Sequence, residues 1–371
     1  MGKAAEANDD EPDAMIPFAR TEGSAFGTRG DSVAPPQCEQ GELLRISVVI
    51  PTYRRPDLLC RCLAAVFAQR MEPGSFEVIV VDDGHSADTL AAVEAFREQH
   101  GGPVLRLIRP KQGRGPAVAR NAGWRAAYGK VIAFTDDDTV PHPDWLANGE
   151  RALVPGLVAL CGRVLVPPLR ERTRKGYRPT DHELMTRGLE SAEFVTANAF
   201  VRRSALLAIG GFDERFQRAW REDSDLQFRL LRDAGPVGRG PDAVVLHPVR
   251  PEPWGVCLRQ QKNVFFDALL YKKHPRLYRE RILPSPPWDY YGIVGLTLAA
   301  PALWAADIGG SAVVSLMLAG VGVLRLAARR LRGTSRSPEH VVEMVVTSAL
   351  IPFLSVYWRL RGAIHFRVLF L

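Results

Sequence analysis

KVIAFTDDD, residues 130–138, sets three carboxylates directly behind an apolar run. Asp136, Asp137 and Asp138 repel one another, so their place at the end of a buried strand needs a reason. A second run, FEVIVVDDG (76–84), ends in Asp82, Asp83 and a glycine, and a third, ISVVI (46–50), leads into PTYRR (51–55). Continuous β-branched runs of this length fit parallel strands buried on both faces. Helix signals separate them. RPDLLCRCLAAVFAQ (55–69) carries Leu58, Leu59, Cys62, Leu63 and Val66 at helical spacing behind Pro56. SADTLAAVEAFREQHG (86–101) has Ser86 or Asp88 as its cap and Gly101 as its stop. VLRLIRP (104–110) reads as a strand and GPAVARNAGWRAAYG (115–129) as a helix of small residues. This alternation predicts an α/β fold, an open and mostly parallel sheet with flanking helices. Ligands of such sheets sit at the carboxyl ends of the strands, and two of the three ends here are acidic.

Beyond residue 150 the pattern loosens. LVALCGRVLVP (157–167) is one strand or two, and RTRKGYRPTDHEL (172–184) is a polar loop. VTANAFVRRSALLAIGGFDERF (195–216) reads as strand, helix and Gly-Gly turn. REDSDLQFRLLRDAG (221–235) is a helix opened by acids and closed by Gly235, and AVVLHPVRP (243–251) is a further strand. Three apolar stretches then follow, at 290–306, 308–324 and 341–358, the last interrupted by Glu343 and Pro352. Residues 1–43 are acidic at the start, lack an apolar segment of signal-peptide type and read as a disordered tail. The expected division is therefore tail 1–43, catalytic domain 44–285 and membrane-associated helices 286–371.

The chain has 371 residues and a formal charge of +7. Much of the basic surplus follows residue 320, beside the apolar stretches, which points to an anionic membrane surface. No nucleic-acid-binding signature is present. The five cysteines show neither disulfide nor zinc spacing and read as thiols of a reducing compartment. The stretches 290–306 and 308–324 read as a hairpin turned at Asp307, Gly309 and Gly310. Arg325, Arg329, Arg330, Arg332 and Arg336 follow it and favour the cytoplasmic side of an inner membrane. The stretch 341–358 reads as lying in the interface. Truncation after about residue 285 is expected to leave a soluble sheet core.

Clustered carboxylates at a strand end become favourable when a divalent cation, Mg²⁺ or Mn²⁺, bridges them to a phosphate. An acidic pair on a sheet also fits a phospho-acceptor site. The order VVIPTYRR, VIVVDDG, ARNAG, AFTDDD, GGFDERF and REDSDLQFRL breaks that tie. Over roughly residues 45–250 it resembles the family-2 glycosyltransferases, inverting enzymes of the GT-A fold that use nucleotide-diphosphate sugars.

The resemblance implies a role for each motif. Pro51, Thr52 and Tyr53 lie against the nucleotide base, and Asp83 accepts a hydrogen bond from it. Arg120 and Asn121 line the nucleotide, with Arg120 on a phosphate or stacked on the base. Asp136 and Asp138 form the Asp-x-Asp element at the metal and ribose, with Asp137 between them beside the nucleotide sugar. Asp223 is the catalytic base and Glu222 its alternate. His247 approaches the metal or diphosphate. Gln260 is followed by Gln261, Lys262 and Asn263 with no Trp, a departure from processive relatives that implies transfer of one sugar. Trp254, Arg259 and Lys262 are candidates to close over the diphosphate. The implied activity is metal-dependent, inverting, hexosyl-type transfer to a glycan or lipid-linked acceptor in cell-envelope biogenesis. The alternatives are a polyprenyl-phosphate sugar transferase and a non-catalytic nucleotide-sugar-binding membrane protein.

Overall fold

The structure, a computed structural model, describes residues 44–111, 115–167 and 177–371. The proposed tail and the start of the 172–184 loop lie outside them. The first half alternates as expected. β1 (Ile46–Thr52), α1 (Pro56–Phe67), β2 (Phe76–Asp82), α2 (Ala87–Gln99), β3 (Val104–Ile108), α3 (Pro116–Ala126) and β4 (Val131–Thr135) follow in order. Then come β5 (Val140–Pro141), α4 (Trp145–Ala152), β6 (Ala159–Leu165), α5 (Asp181–Ser191), β7 (Asn198–Arg202), α6 (Arg203–Ile209), α7 (Glu222–Arg229) and β8 (Val237–Leu246). The chain closes with α8 (Val256–Gln260), α9 (Val264–Lys273), α10 (Pro275–Arg281), α11 (Trp288–Ala305), α12 (Gly309–Arg330) and α13 (Pro338–Phe366).

The strands form one sheet in the order β3-β2-β1-β4-β7-β6-β8-β5. β3, β2, β1 and β4 are mutually parallel, β7 runs antiparallel to β4 and β6, and β8 returns parallel to β6. The carboxyl ends of β1, β2, β4 and β8 therefore gather on one edge. Thr52 is in register with Asp82, and Val49 with Phe134. β1, β2 and β4 are buried almost throughout, the reason their sequences lack alternation. One sheet face carries Val49, Ile79, Trp124 and Phe134, and the other Val48, Val78, Leu63 and Trp145. α3 lies so close to β1 that a Cβ at Gly123 would come 2.4 Å from Val49 Cγ1, so only glycine admits that approach.

Four expectations change. The stretch read as a polar loop, 172–184, is helical from Asp181, the start of α5. LVALCGRVLVP forms one strand, β6. β8 begins at Val237, six residues before the expected start, because it pairs with β6 from Ala159↔Val237 onward. The helix from Glu222 ends at Arg229 and widens into a π-turn over Leu230–Ala234 before Gly235.

The C-terminal helices do not stand apart at residue 285. Phe216, Phe228, Phe266 and Tyr278 share a buried cluster with Phe370, and Phe366 packs against it. α13 presents His340, Met344, Thr347, Ser348, Ile351, Ser355, Arg359 and Gly362 to the protein interior. Its opposite side exposes Val342, Val346, Leu350, Tyr357, Leu360 and Ile364. Glu343, which breaks the apolar pattern, accepts a 2.8 Å hydrogen bond from Gly255 N at the start of α8. Arg330, at the end of α12, donates to Thr347 and Ser348 of α13 and to Asp181 of α5, and contacts Cys257 of α8. α12 and α13 are long and apolar enough to cross a membrane. α12 exposes Val313, Val314, Leu316, Met317, Leu318, Val321 and Leu324.

Candidate active site

The three acids behind β4 diverge. Thr139 fixes their turn, its Oγ1 donating to Asp136 O at 2.7 Å. Asp136 Oδ1 accepts from Arg120 Nη2 at 2.8 Å. Asp137 turns to β1, where Thr52 Oγ1 donates to Oδ2 at 2.8 Å and Arg55 lies 3.6 Å from Oδ1. Asp138 turns to the end of β8, 3.5 Å from His247 Nε2 and 3.2 Å from Arg250 Nε. Burial and then the neighbouring Asp138 charge push the Asp137 carboxyl up to about 6. Asp137 is thus buried between Thr52 and Arg55, apart from the cluster that its neighbours form.

Asp136, Asp138 and His247 offer ligand atoms all within 4.8 Å of one another. Two carboxylates and one imidazole are a donor set that suits Mn²⁺ or Mg²⁺ completed by phosphate oxygens. His247 Nδ1 is buried without a hydrogen-bond partner among the described residues, so a strong contact on the ring is left to Nε2, on the cluster side. The residues fit a divalent cation.

α7 brings the second acidic pair to the same edge. Glu222 is buried and pairs with Arg120 Nη1 at 3.1 Å. Asp223 accepts from Thr196 N at 3.1 Å and from Thr196 Oγ1 at 2.7 Å, one bond to each carboxylate oxygen. Burial raises both acids, and the Asp223 charge further raises Glu222, to about 8. Burial opposes the charge on Arg120, but Asp136, Asp223 and Glu222 together hold it firmly protonated. Arg221, which precedes α7, adopts φ 74°, a strained value for a residue with a Cβ. Asp267, 2.7 Å from Arg221 Nε, pins it there.

Other candidates fall into different places. Tyr53 is 48 % exposed at the rim and Pro51 is half-buried. Asp82 is a structural acid, accepting from Gly84 N, Ser86 N and Arg109 Nε. Asp83 accepts from Gly115 N at 2.8 Å, at the mouth of α3. Asn121 is fully buried, and its amide is occupied by Phe212 N and O, Glu214 and Trp124. It secures the Gly-Gly turn. Arg120 is likewise buried between acids. Lys262 lies over the Trp358 ring of α13 at 6.0 Å, so it serves the C-terminal packing. Sequence reasoning missed Thr196 and Arg250. Arg250 had a local signal, three residues after His247 in the same segment; Thr196 is brought to Asp223 only by tertiary folding.

Comparison with known proteins agrees with this geometry. The profile of glycosyl transferase family 2 matches residues 47–210, and that of glycosyl transferase family group 2 matches residues 131–358, more than half of the chain. Glycosyltransferase AglE of Haloferax volcanii is 25 % identical over 254 residues, 67 % of this chain and 81 % of that protein. Validoxylamine A glucosyltransferase of Streptomyces hygroscopicus subsp. limoneus is 26 % identical over 331 residues, 79 % of this chain and 70 % of that protein. Among solved structures, mannosyltransferase PcManGT from Pyrobaculum calidifontis, in complex with GDP-Man and Mn²⁺, superposes with a TM-score of 0.53 at 19 % identity. That match covers 89 % of each chain.

The curled α/β sheet with its acidic strand-end edge is thus a GT-A-type glycosyltransferase fold. The chain belongs to glycosyl transferase family 2, whose members act with nucleotide-sugar donors.

Proposed function

We propose that the enzyme moves one hexosyl-type sugar from a nucleoside-diphosphate donor, with inversion, onto an acceptor hydroxyl. The acceptor is a glycan or lipid-linked intermediate at the cytoplasmic face of the inner membrane. The observation that carries this reading is the convergence of Asp136, Asp138 and His247 within 4.8 Å, joined through Arg120 to the helix that holds Asp223. A binding protein has no need of a half-buried carboxylate aligned by two bonds from one threonine.

Each residue then has a chemical part. Asp136, Asp138 and His247 would hold a divalent cation, which would supply Lewis-acid neutralisation of the diphosphate. Asp223 Oδ takes the acceptor proton as the acceptor oxygen bonds to the anomeric carbon, and the diphosphate departs with the electron pair of the broken bond. Thr196 fixes the direction in which Asp223 presents its free lone pairs. Glu222 beside it is committed to Arg120. Tyr53 offers an exposed ring to the base and Asp83 an acceptor-only carboxylate.

The two-sided character of α13 supports an interfacial position, polar stripe on the catalytic domain and apolar stripe in the headgroup region, with the α11–α12 hairpin inserted beside it. The test is Asp138→Ala, assayed for Mn²⁺-stimulated donor turnover across several nucleotide sugars. Turnover should vanish and nucleoside-diphosphate binding weaken; retained Mn²⁺ stimulation would overturn the assignment.

A further inference from the structure

Both acids of the proposed metal pair already face an arginine. Arg120 Nη2 lies 2.8 Å from Asp136 Oδ1, and Arg250 Nε lies 3.2 Å from Asp138 Oδ2. The two arginines differ in freedom. Arg120 is buried and also bound to Glu222, so it is a fixed part of the frame. The Arg250 side chain is 37 % exposed, and Asp138 is its only ion-pair partner among the described residues. Its backbone is held from outside the cleft, where His182 Nε2 lies 3.2 Å from Arg250 O. The anchor is fixed and the guanidinium is free to turn.

Asp138 is nearly buried, and a buried carboxylate needs a counter-charge at all times. A divalent cation and the Arg250 guanidinium cannot share the small space around Asp138 without repelling one another. Resting on the metal reading above, we infer that Arg250 is an exchangeable counter-ion. It neutralises Asp138 while the cation is absent, yields that oxygen when the cation arrives, and turns its fork of donors onto the donor diphosphate. A guanidinium matches phosphate oxygens in bidentate fashion, and the flexible arm needs only to rotate. Metal alone must displace Arg250 and leave it without a partner. Metal with diphosphate gives Arg250 a new partner. Binding of the two is therefore mutually reinforcing through this one side chain, and by linkage each strengthens the other by the same factor.

The consequence is an inversion of sign in one variant. Arg250→Gln should bind Mn²⁺ alone more tightly, by roughly 1.5- to 5-fold, the range for a partly exposed ion pair. The same variant, saturated with Mn²⁺, should bind UDP or GDP about 10-fold more weakly. Arg250→Lys, which keeps the charge without the fork, should fall between. Full-length protein in detergent, titrated by electron paramagnetic resonance for Mn²⁺ and by calorimetry for the nucleotide, gives both numbers, with thermal melting as a control for folding. Weaker Mn²⁺ binding in Arg250→Gln, or an unchanged affinity for both ligands, overturns the inference. Asp138→Asn separates the two levels. If it leaves Mn²⁺ binding intact, the metal site itself is wrong; if it abolishes Mn²⁺ binding while Arg250→Gln changes neither affinity, only the exchange is wrong.

Discussion

Arg120 and Glu222, 102 residues apart in sequence, meet at 3.1 Å in the interior, so α3 and α7, the helix of the proposed base, are locked together by an ion pair. A buried charge that loses its partner costs about 3–5 kcal/mol. Arg120→Met should therefore lower unfolding stability by about that amount, read from denaturant midpoints. Arg120→Met combined with Glu222→Gln should recover part of it, because no buried anion is then left alone at position 222. Full stability in the single variant would show that the pair is not maintained in solution.

Asp223→Asn keeps the shape of the side chain but cannot accept a proton. Transfer should fall by roughly 10²–10⁴-fold, the usual weight of general acid–base catalysis, with donor affinity little changed. Burial raises the Asp223 carboxyl, so in the wild type the rate should rise with pH through a range above the ordinary carboxylate value of about 3.9. A rate that is flat from pH 4 to 8 would remove Asp223 from the base role.

Behind α7 lies an ionic cluster outside the cleft. Lys273 Nζ sits 2.6 Å from Asp225 Oδ1 and contacts Asp213, while His274 and Arg229 complete Asp225. Burial works against the Asp213 charge, yet Arg215 and Lys273 hold its carboxyl well below the ordinary range. A folded-state value below the unfolded one contributes stability above about pH 4 that disappears as the pH falls. Asp213→Asn should thus cost on the order of 2 kcal/mol at pH 7 and somewhat less at pH 3, because the folded-state carboxyl protonates only below that pH. Urea unfolding of both proteins at the two pH values checks this.

Removal of residues 286–371 should leave an aggregating protein, because Phe216, Phe228, Phe266 and Tyr278 lose the cover of α13 and Phe370. The composition of the stretch alone suggested the opposite. Size-exclusion chromatography of the truncated chain decides: a monodisperse monomer that binds nucleotide would show that the cluster tolerates exposure.

The fold was legible where burial is total. β1, β2 and β4 announce themselves as β-branched runs, and the acids that end two of them mark the functional edge. The site was legible as far as motifs carry it, bringing Asp136, Asp138, His247 and Asp223 to one edge. The side-chain directions were not. Asn121 and Arg120 are nucleotide residues by the resemblance of ARNAG; in the structure both are drawn inward by partners roughly 90 to 100 residues away, Phe212, Glu214 and Glu222. α13 reads as apolar on average, and its average hides a polar stripe that only a docking partner reveals.

The knot at Arg330 connects the long apolar helix α12 to the acidic edge by a short mechanical chain. Arg330 holds Asp181, the adjacent His182 lies against the Arg250 backbone, and Arg250 holds Asp138. A tilt of α12 therefore strains α5 and, one hydrogen bond further, the guanidinium that guards the metal acids. Under the membrane position proposed above, the thickness of the surrounding bilayer becomes an input to donor binding, carried by a lever of four residues.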